Sequence, residues 1–200
     1  MADGARIMDR PELTFPEEVA DWVRGHYQAA DCILEYGSGG STVMASELDG
    51  KTVFSVESDR KWYRMMKRYL EQSDAKSGVV LTHVNIGKVG KWGRPENHDM
   101  WRRYHQYPNA VWDREDFEAP DVVLIDGRFR AACFLTVMLR TEKPVTVLFD
   151  DYEGRWLYNQ VEQWKKPEEM RGRMARFELD PTDLPRKDLT RILTLYTKTF

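Results

Sequence analysis

The chain has 200 residues, 42% hydrophobic and 32% charged, with a formal net charge of −3; this is enough for one substantial core, rather short for two, and offers no global field to hold a polyanion, so nucleic acid is a poor default partner. The longest apolar runs, 122–125 and 145–149, fall far below the roughly 20 residues needed to span a bilayer, and the first residues show no apolar signal-peptide core, so the expectation is a soluble, cytoplasmic, single-domain protein with no membrane partner. Cys32 and Cys133, far apart and each in an apolar context, read as reduced, buried thiols rather than as a metal cluster or a disulfide framework.

Short apolar strands alternate with amphipathic helical patterns through most of the length, which points to an α/β fold: a doubly wound, mostly parallel sheet with helices on both faces. Thr14 and Glu17 have capping-box spacing with Pro16 in the first turn, and Val19, Trp22, Val23 and Tyr27 recur at helical intervals, so a helical extension over 14–30 precedes the first strand. A strand over 33–36, a helix over 41–48 and a strand over 51–56 make a βαβ unit. Asp59 or Ser58 caps a helix whose Trp62, Met65, Met66 and Tyr69 mark one buried face, and a strand over 79–84 follows. Residues 87–116 are irregular and too long for a plain connection. Beyond them come a buried strand over 121–126, a helix over 130–139, a strand over 144–150 and a helix over 156–164 that ends in the solvated run Lys165-Lys166-Pro167. Two extended segments, 175–179 and 191–197, separated by turn signals at Pro181 and Pro185, complete seven strands, the last of them antiparallel.

The segment 33–42, Ile-Leu-Glu-Tyr-Gly-Ser-Gly-Gly-Ser-Thr, joins an apolar run to a carboxylate and a glycine-rich turn, the pattern of a nucleotide-binding strand-loop-helix. Gly37, Gly39 and Gly40 let the main chain approach a ligand closely, and Ser41 and Thr42 stand where the next helix can be capped. Glu57 ends the second strand twenty positions after Gly37, the spacing at which a carboxylate reaches a ribose hydroxyl in doubly wound folds. The competing reading is that Glu57 only caps the next helix. A dinucleotide fingerprint wants Gly or Ala at position 42, where this chain has Thr42, so pyrophosphate binding loses support.

With Glu35 two residues before Gly37, the segment resembles the first motif of the class I S-adenosylmethionine-dependent methyltransferases, and the order of strands is similar over nearly the whole chain. The resemblance implies a Rossmann-like sheet of seven strands. It implies that Glu35, Gly37, Ser38, Gly39 and Gly40 back the amino acid part of S-adenosylmethionine, that Glu57 holds its ribose, and that Asn85 with Ile86 lies near its adenine. The chain departs from the family pattern at Ser41, where many members carry a third glycine, and at Asn85, where Asp is commoner.

Asp126, in Leu-Ile-Asp-Gly-Arg-Phe-Arg at 124–130, and the pair Asp150-Asp151 end consecutive strands, and ligands of open α/β sheets bind beyond those ends. Carboxylates this close raise one another's pKa unless a cation compensates. In one reading Asp126, Asp150 and Asp151 bind magnesium, which orients an acceptor hydroxyl and promotes its deprotonation, resembling the metal-dependent O-methyltransferases. In the other, Arg128 or Arg130 neutralises Asp126, and Asp150 or Asp151 caps a helix. Asp126 and Asp151 are the candidate catalytic residues, Asp126 doubling as a cofactor contact; His83 and Tyr152 are further candidate bases. Residues 87–116 interleave Trp92, Trp101, Tyr104, Tyr107 and Trp112 with lysines and arginines, which suits a cover over the cleft or packing on the sheet edge or on a second subunit of a homodimer. His98 and His105 have no further ligand at zinc-like intervals. The resemblance therefore implies methyl transfer to a small-molecule acceptor, with sugars and other hydroxylated molecules among the candidates. The alternatives are an NAD(P)-dependent oxidoreductase and a non-catalytic cofactor-binding module.

Overall fold

A computed structural model describes residues 9–182 and 186–200; Pro185, expected in a turn, lies outside them. Helix α1 (Glu17–Ala29) buries Val19, Ala20, Val23 and Tyr27 on one face. Pro16 is its N-cap, and the Pro16 carbonyl accepts from the amides of Val19 and Ala20, so the expected Thr14–Glu17 capping box does not form. Strand β1 (Cys32–Tyr36), helix α2 (Gly40–Ser46) and strand β2 (Thr52–Glu57) form the expected βαβ unit. Asp59 caps α3 (Arg60–Gln72), accepting from the amides of Lys61 and Trp62 at 2.7 and 3.2 Å. Of the four residues expected to form its buried face, only Met66 is buried. Trp62 is exposed because its indole N–H reaches across to donate to the Ser38 carbonyl at 2.7 Å instead of packing under the helix.

After β3 (Gly78–His83) the long connection forms single 3-10 turns at Lys91–Gly93 and Trp101–Arg103 and a short helix, α4 (Gln106–Asn109). The chain then runs through β4 (Val122–Ile125), α5 (Arg130–Arg140), β5 (Val145–Phe149) and α6 (Trp156–Asn159), which a 3-10 turn continues. The hairpin of β6 (Glu169–Arg171) and β7 (Met174–Leu179) and the helix α7 (Leu189–Leu195) close the fold. Residues 191–197 were expected to be the final strand. They are mostly helical because Ile192 and Leu195, three apart, both turn into the core while Leu193 faces solvent. The sheet still has seven strands, since Glu169–Arg171 pairs with β7.

The strand order is β3-β2-β1-β4-β5-β7-β6, with β1 to β5 mutually parallel and β7 antiparallel to both its neighbours. Alternation along each strand divides the core between the two faces. Leu34, Phe54, Val123 and Phe177 share one cluster with the apolar residues of α5, while Ile33, Val53, Leu124 and Leu148 share the other with Val19, Val23 and Tyr27 of α1. No helix among the described residues is long and apolar enough to cross a membrane.

The chain leaves β1 toward β3 on one side and returns to β4 on the other, so the carboxyl ends of β1 and β4 form the topological switch point, where a crevice opens in such sheets. The two strand ends meet glycine to glycine. Gly37 has φ of 106°, and a Cβ there would lie 2.8 Å from the backbone nitrogen of Gly127. Gly37→Ala combines left-handed strain with overpacking, and the expected loss is about 2–4 kcal/mol in urea denaturation. A loss below about 0.5 kcal/mol, the scale of an ordinary surface change, would show that the two strand ends separate freely.

Candidate functional site

A cleft of about 700 Å³ lies over this switch point, at the carboxyl ends of the central strands. Of the residues expected to hold a cofactor, Gly37, Ser38, Gly39, Gly40, Glu57 and Asp126 line it. Glu35 does not. Its carboxylate is fully buried behind the loop, where it accepts from the Tyr27 hydroxyl at 2.7 Å and from the Thr42 hydroxyl. The Thr42 oxygen in turn accepts from the Gly39 amide at 3.0 Å. Burial raises the Glu35 pKa, and the hydroxyl donors oppose that rise. Glu35 thus shapes the loop from behind, and Thr42, the residue that breaks the dinucleotide pattern, is its link to the loop backbone.

Glu57 combines its two expected readings. One oxygen accepts from the Ser58 and Asp59 amides at 2.6 and 2.7 Å at the entry to α3, and the other faces the Ser38 amide at 3.4 Å. Burial raises its pKa, with the three backbone donors pulling the other way. Asn85 and Ile86, expected beside the same ligand, do not line the cleft. The Asn85 side chain turns back to accept from the Gly87 amide at 3.0 Å, and Ile86 packs into the core. The cleft is lined instead by Trp92 and Gly93, at the tip of a turn whose arms are bridged at Val89 and Pro95. A Cβ on Gly93 would come 2.8 Å from the Ser58 hydroxyl, so this turn is pressed onto the end of β2. Trp92 is 73% exposed and has φ of 61°, a strained conformation for a tryptophan, which puts its ring at the mouth of the cleft.

The three aspartates at the other end are interleaved with arginines. Asp150 is fully buried and takes Arg173 in a two-pronged pair, Nε and Nη2 donating at 3.0 and 2.9 Å. Arg130, also buried, donates to Asp126 at 2.9 Å and to the carbonyls of Gly127, Asp150 and Asp126 at 3.1, 2.6 and 2.8 Å. Asp151, with φ of 57°, lies 3.5 Å from Arg130, 3.2 Å from Arg173 and 3.7 Å from Arg155. This corrects the magnesium reading: the carboxylate oxygens already face guanidinium groups, and among the described residues no three acidic, His or Cys side chains converge as metal ligands. Asp150 and Asp151 do not cap a helix either, since Arg155 occupies the N-cap of α6.

Asp126 is the least compensated of the three. Its side chain is 31% exposed, enough to meet a ligand in the cleft. Burial of the remainder, reinforced by Asp150 and Asp151 and opposed by Arg130, raises its pKa to about 7. His83 and Tyr152, the other candidate bases, lie outside the cleft lining, and Tyr152 spends its hydroxyl on Glu162 at 3.1 Å.

Most aromatics of the 87–116 segment pack inward. Tyr104 and Tyr107 are buried against Phe129, Trp112 donates to the Tyr36 hydroxyl at 2.7 Å, and Trp101 stays exposed. Sequence reasoning missed the stretch 12–15, Trp62, Tyr158 and Arg173, all of which line the cleft. Gly40 carried the one trace of the first, because a Cβ there would collide with the backbone of Glu12 and Leu13.

No protein-family model matches the chain, and no curated protein sequence matches it. Among solved structures it is similar to a methyltransferase-like protein from Silicibacter pomeroyi, at 46% identity and a TM-score of 0.92 over 94% of this chain and 98% of that one. It is also similar in fold to the O-methyltransferase TomG from Streptomyces achromogenes, solved in complex with S-adenosylmethionine, at 17% identity and a TM-score of 0.52 over 79% of this chain and 65% of that one.

The state of Asp126 can be read from stability. Its folded pKa lies above the unfolded value of about 3.9, so between about pH 4 and pH 7 the folded chain keeps a proton that the unfolded chain has released. Stability contributed by that proton is present at low pH and is lost as pH rises through the folded value; Glu35 and Glu57 shift in the same direction. The melting temperature should therefore fall across that window, and Asp126→Asn should flatten the fall. A variant curve parallel to the wild type would show that Asp126 ionises in its ordinary range.

Proposed function

Because the chain belongs to the class I S-adenosylmethionine-dependent methyltransferase family, we propose that it transfers the methyl group of S-adenosylmethionine to an oxygen or nitrogen of a small hydroxylated or amino-bearing acceptor bound in the 700 Å³ cleft. The observation that carries this reading is the placing of the glycine loop, the Glu57 carboxylate and the half-open Asp126 carboxylate along one wall of one cavity. S-adenosylmethionine, when bound, supplies a methyl carbon made electrophilic by its positive sulfur.

The residues present suit that group. Glu57 can accept from ribose hydroxyls while its backbone bonds hold it still. The loop is open at its middle, since a Cβ on Gly39 would meet nothing within 4 Å, whereas Gly37 and Gly40 on either side are packed against Gly127 and against Glu12 and Leu13. Trp92 and Gly93 line the cleft beside Glu57 and Ser58 and would flank the base of the bound group, in the role first expected of Asn85 and Ile86. Asp126 is suited to take the proton that an acceptor hydroxyl or amine gives up, because a base titrating near 7 is ionised often enough and still binds a proton. Asp151, tied to Arg130, Arg155 and Arg173, holds those cations in place and leaves the proton to Asp126. Most of the acceleration would come from alignment of nucleophile and methyl group.

Calorimetric titration with S-adenosylhomocysteine should show binding in the micromolar range. Glu57→Ala should weaken it by about 10- to 100-fold, the equivalent of roughly 1.5–3 kcal/mol for hydrogen bonds to a charged group. Absence of binding by the wild type, alongside clear binding of NAD, would overturn the reading.

A further inference from the structure

The strand order sets the residues of the cleft side by side: Glu57 after β2, the glycine loop after β1, Asp126 to Arg128 after β4, and Asp151, Arg155 and Tyr158 after β5. With neighbouring strands about 4.8 Å apart, the proposed cofactor occupies the β2–β1 end, and the space left for an acceptor lies over β4 and β5. That end is rich in arginine. Arg130, Arg155 and Arg173 are matched by Asp126, Asp150 and Asp151.

Arg128 is a fourth guanidinium set against those three carboxylates. Among the described residues it makes no ion pair, and its Nε is buried without a hydrogen-bond partner, although the side chain lines the cleft. Its backbone is fixed: the amide donates to the Tyr107 hydroxyl at 3.4 Å, the carbonyl accepts from the Cys133 thiol at 3.4 Å, and Phe129 next to it is held at φ of 53°. The side chain therefore departs from a rigid point. Burial, with the charge of Arg130 beside it, lowers its pKa from the usual guanidinium range, in keeping with the unpartnered Nε and the lack of an ion pair among the described residues. A half-buried guanidinium with one donor shut off from water and no anion beside it leaves hydrogen-bonding capacity unused, and its flat fork matches an anionic oxygen group.

We propose that Arg128 anchors an anionic oxygen group, carboxylate or phosphate, of the acceptor, so that the substrate class is a small anion bearing a hydroxyl or amino nucleophile. This rests on the methyltransferase reading of the same cleft. Arg128 and Asp126 line the same cleft, so a molecule held by its anion can present its nucleophile to the proton acceptor.

The test uses protein saturated with S-adenosylhomocysteine and titrated calorimetrically with inorganic phosphate and with benzoate, in the wild type, Arg128→Met, Arg128→Lys and, as a control on the exposed face of α3, Arg68→Met. At least one anion should bind the wild type in the millimolar range, about tenfold or more weaker in Arg128→Met, as expected for loss of a charge-assisted pair. Binding should persist in Arg68→Met and in part in Arg128→Lys, with affinity for S-adenosylhomocysteine unchanged throughout. Equal anion binding by wild type and Arg128→Met, or none by the wild type, would overturn the proposal. So would weaker binding of S-adenosylhomocysteine by Arg128→Met with unchanged binding of 5′-deoxy-5′-methylthioadenosine, which lacks the amino acid carboxylate, since Arg128 would then serve the cofactor. Failure of the wild type to bind S-adenosylhomocysteine sinks the methyltransferase reading instead. The anion titrations of the free protein then decide the anchor by the same criterion.

Discussion

A carboxylate with no access to water, that of Glu35, is the constraint on which the glycine loop depends. Such a group is tolerated only with donors around it, and here they come from two different helices, Tyr27 on α1 and Thr42 on α2. The pair of hydroxyls fastens the leading helix and the loop helix to the end of β1 at once. Because the Thr42 oxygen also accepts from the Gly39 amide, the loop is held from its buried side and its outer backbone remains open to the cleft. Deleting the carboxylate would leave two buried hydroxyls short of an acceptor, so the loop's shape and the seating of α1 are coupled through one side chain.

The same problem recurs along the edge of the sheet with different solutions, and the solution in each case sets what the carboxylate can do. Glu57 is satisfied by backbone amides, which fix its direction and leave one oxygen facing the loop. Asp150 is satisfied by the fork of Arg173 and has no exposed surface, so its role is structural. Asp126 shares Arg130 with three carbonyls and keeps an open side, and its pKa rises to about 7. Full compensation yields a strut, while partial compensation yields a group that can exchange a proton near neutral pH.

The parallel strands were legible because strands buried on both faces must be nearly continuous apolar runs, and such runs stand out between polar turns. Glu169–Arg171 was not, since Glu-Met-Arg carries no pattern and becomes a strand only by pairing with β7. Residues 191–197 misled for the opposite reason: Arg-Ile-Leu-Thr-Leu-Tyr-Thr has the composition of a strand, and docking beside α5, where Tyr196 bonds Thr136 at 2.6 Å, decides for a helix. Within the site, the loop and Glu57 could be found by spacing alone. The direction of Glu35 could have been found too, because alternation along β1 puts it on the face of Ile33, beneath α1, rather than toward the cleft. Pairings such as Asp150 with Arg173, 23 positions apart, depend on the return of β7 beside β5 and leave no local trace.

Replacing a divalent cation by arginines changes the chemistry available to the cleft. A bound metal lowers the pKa of a hydroxyl that it ligates, so that a weak base or water can take the proton. A guanidinium offers directed hydrogen bonds and a fixed charge, and it does not take up a proton in its ordinary state. In the proposed reaction the burden of deprotonation therefore falls on a carboxylate whose affinity for protons has itself been raised. The interleaved arrangement suits that need: burial, with the charges of Asp150 and Asp151, raises the proton affinity of Asp126, and Arg130 limits the rise. The Asp126 pKa is thus a property of the whole cluster, which is why its neighbours, although only one of them opens onto the acceptor space as an acid, belong to the same functional unit.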